Sequence, residues 1–207
     1  MIGLYGGSFD PIHIGHLRLA EDIREYFNLN KIIFIPTYIS PLKSKSNAKP
    51  EDRLKMLELA TEYNPFFEID DREIREKEVS YTIKTIMYYK SKLNYNPIFI
   101  VGSDAFLTLH KWKEYNVLLE NTNFIVIGRG RDTLVMLDEY LKSMFCKSIR
   151  LEKNINPFLA EVYFFNGRRI DISSTEIRNK IKRGIPITYL VPPNVENYIK
   201  ERRLYRD

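Results

Sequence analysis

The sequence has little cysteine and no long apolar run. Cys146 is the only cysteine among 207 residues, which excludes a disulfide within the chain and a cysteine-rich zinc site. Uninterrupted apolar runs stop at four residues, which excludes a transmembrane helix and the apolar core of a signal peptide. We therefore expect a cytoplasmic protein in a reducing environment, without a membrane partner.

An excess of basic residues is confined to one part of the chain. The sequence has 32 Lys and Arg residues against 27 Asp and Glu residues, a formal net charge of +5. Residues 147–207 carry 13 basic and 7 acidic residues, so the whole excess lies there. This distribution indicates an anionic partner, but it does not favour a uniformly basic coat for nucleic acid.

Short β-branched and aromatic runs alternate with amphipathic stretches along the chain. We predict strands at residues 2–5, 31–35, 66–69, 98–101 and 124–127, with a further candidate at 161–165. We predict helices over residues 16–27, after Pro50, after Ser80, and in a small carboxyl-terminal helical part at about 173–207. This order predicts an α/β fold with a parallel sheet and helices on both faces.

The predicted elements also set expectations for single residues and for the domain structure. On the helix after Pro50 we expect Leu54, Leu57 and Ala60 to face the core, and we expect Ser80 to cap the next helix. The polar segment 37–49 comes too early to separate two domains, so we interpret it as a lid. Residues 1–207 are expected to form one domain.

A glycine-rich segment follows the first predicted strand. Gly6 and Gly7 allow the backbone to approach a ligand closely, and His13 and His16 come just before the predicted helix. Ligands of parallel α/β sheets bind beyond the carboxyl ends of the strands, and the N-terminus of a helix favours an anion. The pattern indicates a phosphate site, although a glycine turn before a helix also occurs without any ligand.

The two histidines could instead bind a metal ion. No further histidine, cysteine or carboxylate is spaced to complete a zinc site. Asp10 precedes a proline, and we interpret it as a turn residue. We therefore expect no metal held by the protein itself.

A second candidate phosphate site lies at a helix start near the carboxyl end. Residues 172–178 read Ile-Ser-Ser-Thr-Glu-Ile-Arg. One hydroxyl is enough for an N-cap, and Glu176 could merely complete a capping box. Three consecutive hydroxyl residues exceed that need, and the planar Arg178 guanidinium is suited to phosphate.

Together these two segments resemble the motifs of the nucleotidyltransferase superfamily, His-x-Gly-His and Ile-Ser-Ser-Thr-x-x-Arg. Further stretches resemble the bacterial nicotinate-mononucleotide adenylyltransferases, namely residues 50–57, 79–82, 100–104, Trp112 and 189–199. The matches extend from Ile2 to Tyr205. The resemblance implies a Rossmann-like, doubly wound parallel sheet.

The resemblance also implies a reaction. Members of this family join nicotinate mononucleotide to ATP in NAD biosynthesis and release pyrophosphate. ATP and nicotinate mononucleotide are therefore the expected partners, with Mg²⁺ carried by ATP rather than by a protein cage. No covalent enzyme intermediate is needed, so catalysis would consist of positioning and of neutralising charge.

The family pattern implies roles for individual residues. Those expected to be catalytic are His13, His16 and Arg178. Those expected to bind ATP are Gly6, Gly7, Ser8, Phe9, His13, His16, Gly102, Asp104, Ile172, Ser173, Ser174 and Arg178. Those expected to bind nicotinate mononucleotide are Ser8, Lys43, Thr82, Trp112 and Lys113. Trp112 would stack on the pyridine ring, while Thr82 and the backbone near Trp112 would receive the carboxylate.

The sequence departs from the family pattern at two places. Leu42 stands where the family commonly has a histidine. The neighbouring Lys43 is expected to bind the substrate, but it could equally be a solvated loop lysine. Gly130 follows Arg129 where Pro-Gly is usual, so no substrate role is assigned to Arg129 or Arg131.

Other functions are compatible with parts of the pattern. His-Ile-Gly-His is also a signature of class I aminoacyl-tRNA synthetases, but the faint second signature at 43–46 follows too soon and the chain leaves no room for a tRNA-binding domain. Within the superfamily, nicotinamide mononucleotide or another small phosphate acceptor is the alternative. A non-catalytic nucleic-acid-binding protein is a more distant alternative. Its affinity for RNA or DNA would fall steeply with salt concentration, and it would not turn over ATP. A homo-oligomer is compatible with the sequence, which does not decide the oligomeric state.

Overall fold

A seven-stranded sheet runs through the computed structural model, which describes residues 1–42, 46–128 and 130–206. The strands are β1 (Ile2–Gly7), β2 (Lys31–Pro36), β3 (Phe67–Ile69), β4 (Ile98–Gly102), β5 (Asn123–Gly128), β6 (Ile149–Arg150) and β7 (Val162–Asn166). Their order in the sheet is β3-β2-β1-β4-β5-β7-β6. β1 pairs with β4, β4 with β5, β5 with β7 and β6 with β7, and each of these pairs is parallel.

Helices alternate with most of the strands. Those in the described residues are α1 (Ile14–Tyr26), α2 (Pro50–Thr61), α3 (Arg72–Glu76), α4 (Thr82–Lys92), α5 (Ser103–Phe106), α6 (Tyr115–Asn121), α7 (Gly130–Phe145), α8 (Ser174–Lys182) and α9 (Pro193–Glu201), with a short 3₁₀ helix at Leu109–Lys111. The predicted α/β fold with a Rossmann-like parallel sheet is confirmed. In the described part of the chain, no helix is long and apolar enough to span a membrane.

Helix α7 was not predicted from the sequence. Its fully buried residues are Leu137 and Leu141, which lie one turn apart, whereas the apolar side chains of Val135, Met136 and Met144 are exposed. Exposed apolar residues on the outer faces blur the periodicity by which an amphipathic helix is recognised. α7 is therefore stabilised by the packing of a narrow apolar stripe, Leu137 and Leu141, against other parts of the structure.

The expectation for the buried face of α2 was right for Leu57 and wrong for Leu54 and Ala60. Arg53, Met56 and Leu57 are fully buried there, whereas Leu54 and Ala60 are only partly buried. The buried face of α2 includes the charged Arg53 because backbone carbonyls accept hydrogen bonds from its guanidinium. Hydrophobicity alone cannot predict such a face.

The expected helix cap at Ser80 was also wrong. Tyr81 occupies the N-cap position of α4 and makes no side-chain cap hydrogen bond. The Ser80 hydroxyl instead accepts a hydrogen bond from the Tyr38 amide at 2.8 Å, and the Ser80 amide donates to the Ile39 carbonyl at 2.9 Å. Ser80 thus anchors the amino-terminal end of segment 37–49.

The chain separates into two compact units. The first unit comprises residues 1–6, 22–32 and 81–169, and its core includes Ile98, Ile100, Phe124, Leu137 and Tyr163. The second unit comprises residues 7–21, 33–80 and 170–207, and its core includes Phe34, Met56, Leu57, Ile177 and Val195. In the second unit, α2 packs against α9. The expectation of one domain over residues 1–207 stays a prediction.

Candidate active site

In the first unit, the carboxyl ends of β1 and β4 lie where the strand order of the sheet reverses. This is the usual ligand position in parallel α/β sheets. A Cβ atom on Gly6 would lie 2.7 Å from Cζ of Phe99, so the close packing of the two strands requires glycine there. Gly102 is the last residue of β4 and Asp104 comes two residues later, and both are exposed. The predicted ATP-binding residues of this unit thus share one edge of the sheet.

The first unit also contains three of the five residues predicted to bind nicotinate mononucleotide, namely Thr82, Trp112 and Lys113. The Lys113 ammonium lies 4.8 Å from the centre of the Tyr81 ring, a cation–π contact that joins the Trp112 segment to the start of α4 at Thr82. Trp112 is partly exposed, as expected. Its indole N–H donates to the Thr108 hydroxyl at 3.3 Å.

The orientation of Trp112 is set by two neighbouring elements. Its ring stands at 90° to the buried Phe99 ring, with 6.3 Å between the ring centres. Its backbone N–H donates to the Leu109 carbonyl at 2.8 Å and ends the 3₁₀ helix. The indole is therefore held in place on one edge while part of it remains accessible to a planar ligand.

In the second unit, the two histidine rings of the glycine-rich segment are stacked. The ring centres of His13 and His16 are 3.7 Å apart, and the ring planes differ by 25°. A Cβ atom on Gly15 would lie 3.0 Å from His13 Nδ1, so glycine at this position makes room for the imidazole over the first turn of α1. The spacing His-x-Gly-His therefore has a steric reason.

The His13 imidazole is buried and neutral. Burial lowers the pKa of His13 from 6.5 to about 4. His13 Nδ1 accepts a hydrogen bond from the His16 amide at 3.3 Å, so the proton of the neutral ring is on Nε2. At neutral pH His13 can therefore donate a hydrogen bond to a phosphate oxygen but does not act as a cation.

This lowered pKa makes stability depend on pH. The unfolded imidazole binds a proton below about pH 6.5, whereas the folded one stays neutral down to about pH 4. In this window the unfolded state binds more protons, so stability is lost as the pH falls from 6.5 toward 4. The full loss is about 3 kcal/mol, since each pKa unit corresponds to about 1.4 kcal/mol.

Urea unfolding of the wild type and of His13→Asn checks this. Asparagine keeps an acceptor for the His16 amide but does not titrate. We expect the wild type to lose about 2 kcal/mol more than the variant between neutral pH and the lower part of the window. Equal losses in the two proteins would show that His13 is not responsible.

The amino-terminal end of α1 offers fewer amides to an anion than the sequence suggested. Ile14 N–H donates to the Leu190 carbonyl at 3.0 Å. The amides of His16 and Leu17 donate to the His13 carbonyl at 3.0 and 3.3 Å. Three of the first four amides of α1 thus have protein acceptors, so a phosphate bound here would depend more on side chains than on helix N–H groups.

The ring of Phe9 packs against His16. The Phe9 ring lies edge-on to His16, with 5.3 Å between the ring centres, and edge-on to the buried Phe34 at 5.6 Å. A Cβ atom on Gly7 would lie 2.9 Å from Cζ of Phe9, so glycine allows the ring to fold back. The family pattern implied only that Phe9 binds ATP, and its ring contacts were not foreseen.

The second predicted motif starts α8 as expected. Ser173 is the N-cap residue, and its side chain accepts a hydrogen bond from the Glu176 amide at 3.1 Å. This is the ordinary capping role that the sequence left open. Ile172, just before the cap, is half-buried.

Ser174 and Arg178 join this motif to the histidine segment. The Ser174 hydroxyl donates to the Pro11 carbonyl at 2.9 Å, across 163 positions of sequence. Arg178 Nη1 donates to the Asp10 carbonyl at 2.6 Å, across 168 positions. The two segments predicted to bind phosphate therefore meet in the second unit, held by hydrogen bonds to one stretch of backbone.

Arg53 is a member of the site that the bottom-up sequence reasoning missed. Its side chain is fully buried, with Nη1 donating to the Ser8 carbonyl at 2.7 Å and Nη2 to the Thr37 and Tyr38 carbonyls at 2.7 and 3.1 Å. Burial lowers the pKa of Arg53, and the Asp10 carboxylate opposes that effect. Its position on the same helix as Met56 and Leu57, among residues that match the family, was the only signal.

Lys43 is the one predicted site residue that lies outside the part of the chain that the structure describes. No metal cluster is found among the described residues. Lys43 and Arg129 lie outside the described residues. Arg131 is exposed at the start of α7. Within residues 1–42, 46–128 and 130–206, no group of three or more His, Cys, Asp and Glu side chains is arranged to hold a metal ion.

Comparison with known proteins identifies a family model and two sequence relatives that carry the same name. Residues 4–180 match the model of the Cytidylyltransferase-like family. A "Probable nicotinate-nucleotide adenylyltransferase" of Hydrogenobaculum sp. (strain Y04AAS1) is 41% identical over 204 residues, covering 99% of this chain and 97% of the relative. One of the same name from Aquifex aeolicus (strain VF5) is 46% identical over 174 residues, covering 84% of this chain and 98% of the relative.

Solved structures share the fold. A Plasmodium falciparum nicotinic acid mononucleotide adenylyltransferase, complexed with NaAD, superposes with a TM-score of 0.77 at 24% identity and covers 99% of this chain and 96% of its own. A putative nicotinate-nucleotide adenylyltransferase from Vibrio parahaemolyticus superposes with a TM-score of 0.60 at 16% identity, covering 100% of this chain and 95% of its own. At these identities the likeness supports the fold alone.

Proposed function

The chain belongs to the nicotinate-nucleotide adenylyltransferase family of nucleotidyltransferases, and on that premise we propose that it transfers the adenylyl group of ATP to nicotinate mononucleotide. The products are nicotinate adenine dinucleotide and pyrophosphate. A phosphate oxygen of the mononucleotide attacks the α-phosphorus of ATP. The bond from that phosphorus to the oxygen shared with the β-phosphorus breaks, and pyrophosphate leaves with the electron pair.

One observation carries this proposal. The stacked pair of His13 and His16 and the motif of Ser174 and Arg178 contribute to one cluster in the second unit, joined through the carbonyls of Asp10 and Pro11. Imidazole N–H, hydroxyl and guanidinium groups are the donors suited to phosphate oxygens. An arrangement of this kind can stabilise charge that develops on the phosphates, and it needs no nucleophile from the protein.

Individual roles follow from the chemistry of each group. His16, the more accessible of the two histidines, contacts the α-phosphate, and His13 donates to the outer phosphates of the leaving group. Arg178 and the hydroxyl groups at the start of α8 bind the β- and γ-phosphates. Asp104 accepts hydrogen bonds from the adenosine ribose at the end of β4, a common use of a carboxylate there.

Preference for the acid over the amide is proposed to arise in the first unit. The start of α4 at Thr82 presents a helix N-terminus, and the Lys113 ammonium is held against Tyr81 nearby. Both features favour a carboxylate. The amide of nicotinamide mononucleotide would turn its NH₂ group toward donors and would lose these interactions.

We propose that Mg²⁺ enters as part of the MgATP substrate. Phosphate oxygens and water satisfy the octahedral preference of Mg²⁺, so a dedicated set of carboxylates is not required. The donor groups at the histidine segment are suited to phosphate oxygen rather than to a divalent cation. Titrating MgCl₂ against ATP in the assay shows whether the complex is the substrate.

The substrate assignment is tested by product identification. Purified protein is incubated with MgATP and either nicotinate mononucleotide or nicotinamide mononucleotide, and the dinucleotide is identified by mass. We expect kcat/KM to be at least about tenfold higher for the nicotinate substrate. Equal kcat/KM values would refute the acid preference, and no dinucleotide from either acceptor would refute the proposed reaction.

A further inference from the structure

The carboxylate of Asp10 is buried, and groups from two distant chain segments converge on it. Asp10 Oδ1 accepts hydrogen bonds from the Tyr205 hydroxyl at 2.7 Å and from the Ala48 amide at 3.1 Å. Asp10 Oδ2 accepts from the Asn47 amide at 2.7 Å. Only 6% of Asp10 is exposed, so protein groups take the place of water as donors to this carboxylate.

Carbonyl groups of the same backbone segment, residues 8–11, also accept hydrogen bonds from other parts of the second unit. Its carbonyls at Ser8, Asp10 and Pro11 accept hydrogen bonds from Arg53, Arg178 and Ser174, respectively. His13 follows two residues after Pro11, so these contacts fix the backbone from which the histidine pair extends. Arg178 and Ser174 were predicted site residues, whereas Tyr205, Asn47 and Ala48, the donors to the carboxylate, were not.

Tyr205 is well suited to be a permanent donor to this carboxylate. It lies beyond the end of α9, and 8% of it is exposed. Burial raises the pKa of Tyr205, and the charge of Asp10 raises it further, so the hydroxyl stays protonated at all physiological pH values. A hydrogen bond from a neutral hydroxyl to a buried carboxylate is stronger than one between neutral groups.

We propose that Tyr205 is a positioning residue for the reaction: through the Asp10 carboxylate, it holds the backbone before the stacked histidines in its working geometry. The inference rests on the proposed function, since it assigns a role within the same site. Removal of the hydroxyl leaves a buried carboxylate short of one donor, and the chain can compensate only by shifting segment 8–11 or residues 47–48. A displacement of the histidines by a fraction of an ångström weakens their contacts in the transition state.

The chain supplies a matched control in Tyr198. Its hydroxyl also donates to a buried carboxylate, that of Asp52, at 2.8 Å, and it also lies in the carboxyl-terminal part of the second unit. Asp52 belongs to α2 and makes no described contact with segment 8–16. Tyr205→Phe and Tyr198→Phe therefore remove the same kind of hydrogen bond, but only the first one reaches the histidine segment.

The first test compares steady-state kinetics of the two variants at a temperature where circular dichroism shows both folded. We expect Tyr205→Phe to lower kcat about tenfold or more, with kcat/KM lowered in parallel. Tyr198→Phe keeps kcat within about twofold of the wild type, which is the expectation for a contact without a role in the site. Wild-type kcat in folded Tyr205→Phe, or equal losses in both variants, would overturn the inference.

A double-mutant cycle tests whether the effect passes through Asp10. If Tyr205 acts only through this carboxylate, Asp10→Asn with Tyr205→Phe has the same kcat as Asp10→Asn alone. Additive losses would instead mean that the two residues act independently, which contradicts the inference.

A second readout separates failure of this inference from failure of the proposed function. Amide hydrogen exchange of the peptide covering residues 8–16 is measured in the wild type and in both phenylalanine variants without any substrate. We expect faster exchange in Tyr205→Phe and wild-type exchange in Tyr198→Phe. Unchanged exchange in Tyr205→Phe overturns the inference whatever the enzyme's substrate is, whereas a wild type without dinucleotide product overturns the proposed function.

Discussion

His16→Ala is expected to lower kcat about 100- to 1,000-fold, the usual effect of removing one donor that stabilises transition-state charge. His16 is only partly buried, and its ring is stacked on His13 and lies against Phe9. Truncation therefore removes the imidazole from the cluster that His16 forms with His13, Ser174 and Arg178, without opening a large cavity in the core. The fold should remain intact.

The measurement is steady-state kcat with MgATP and nicotinate mononucleotide, with far-ultraviolet circular dichroism as the check of folding. His110→Gln is the control, because His110 is the third histidine of the sequence and bonds to the Tyr140 hydroxyl rather than to any predicted site residue. We expect this control to retain wild-type kcat. A His16→Ala protein with unchanged kcat would remove His16 from the catalytic residues.

Arg53→Met is expected to lower the free energy of unfolding by about 3–5 kcal/mol, because Arg53 makes three hydrogen bonds to carbonyls and each one from a charged donor contributes about 1.5–3 kcal/mol. The variant leaves the carbonyls of Ser8 and Thr37 without their buried donor. It also removes a cation that the charge of Asp10 helps to stabilise. Methionine fills most of the volume, so the expected loss is mainly electrostatic.

Urea unfolding at neutral pH measures this loss. Arg75→Met is the control, because Arg75 makes an exposed ion pair with Asp71 at 2.8 Å, with 68% of the arginine side chain accessible. Exposed pairs of this kind contribute about 1 kcal/mol or less. Equal, small losses in the two variants would show that the buried guanidinium does not stabilise the fold as we infer.

The sequence predicted well those elements whose cause is local. β1, β2, β4 and β5 are short β-branched and aromatic runs, and their observed bounds differ from the predicted ones by at most two residues. Ser173 was recognised as a helix start because capping needs only a hydroxyl and a neighbouring amide. Helix α7 and the burial of Arg53 and Met56 on α2 were missed because packing by distant elements, rather than local pattern, decides them.

The candidate site shows the same division. His13, His16 and Arg178 could be found in the sequence because phosphate chemistry needs those residue types close to a glycine turn and to a helix start. Asp10 was interpreted as a turn residue because its partners, Asn47 and Tyr205, are distant in sequence. No local pattern predicts that one carboxylate will serve both.

The sequence by itself determined the α/β class and the family, and it predicted the two candidate phosphate segments, because each depends on short-range residue patterns. Only the tertiary structure decided that Ser174 and Arg178 hold the backbone of the histidine segment, and that Arg53 and Tyr205 support it from inside. The physical reason is that a buried polar group must find a partner wherever the chain supplies one. A single cysteine excludes a disulfide within the chain, and in the second unit a network of buried hydrogen bonds holds the histidine segment instead.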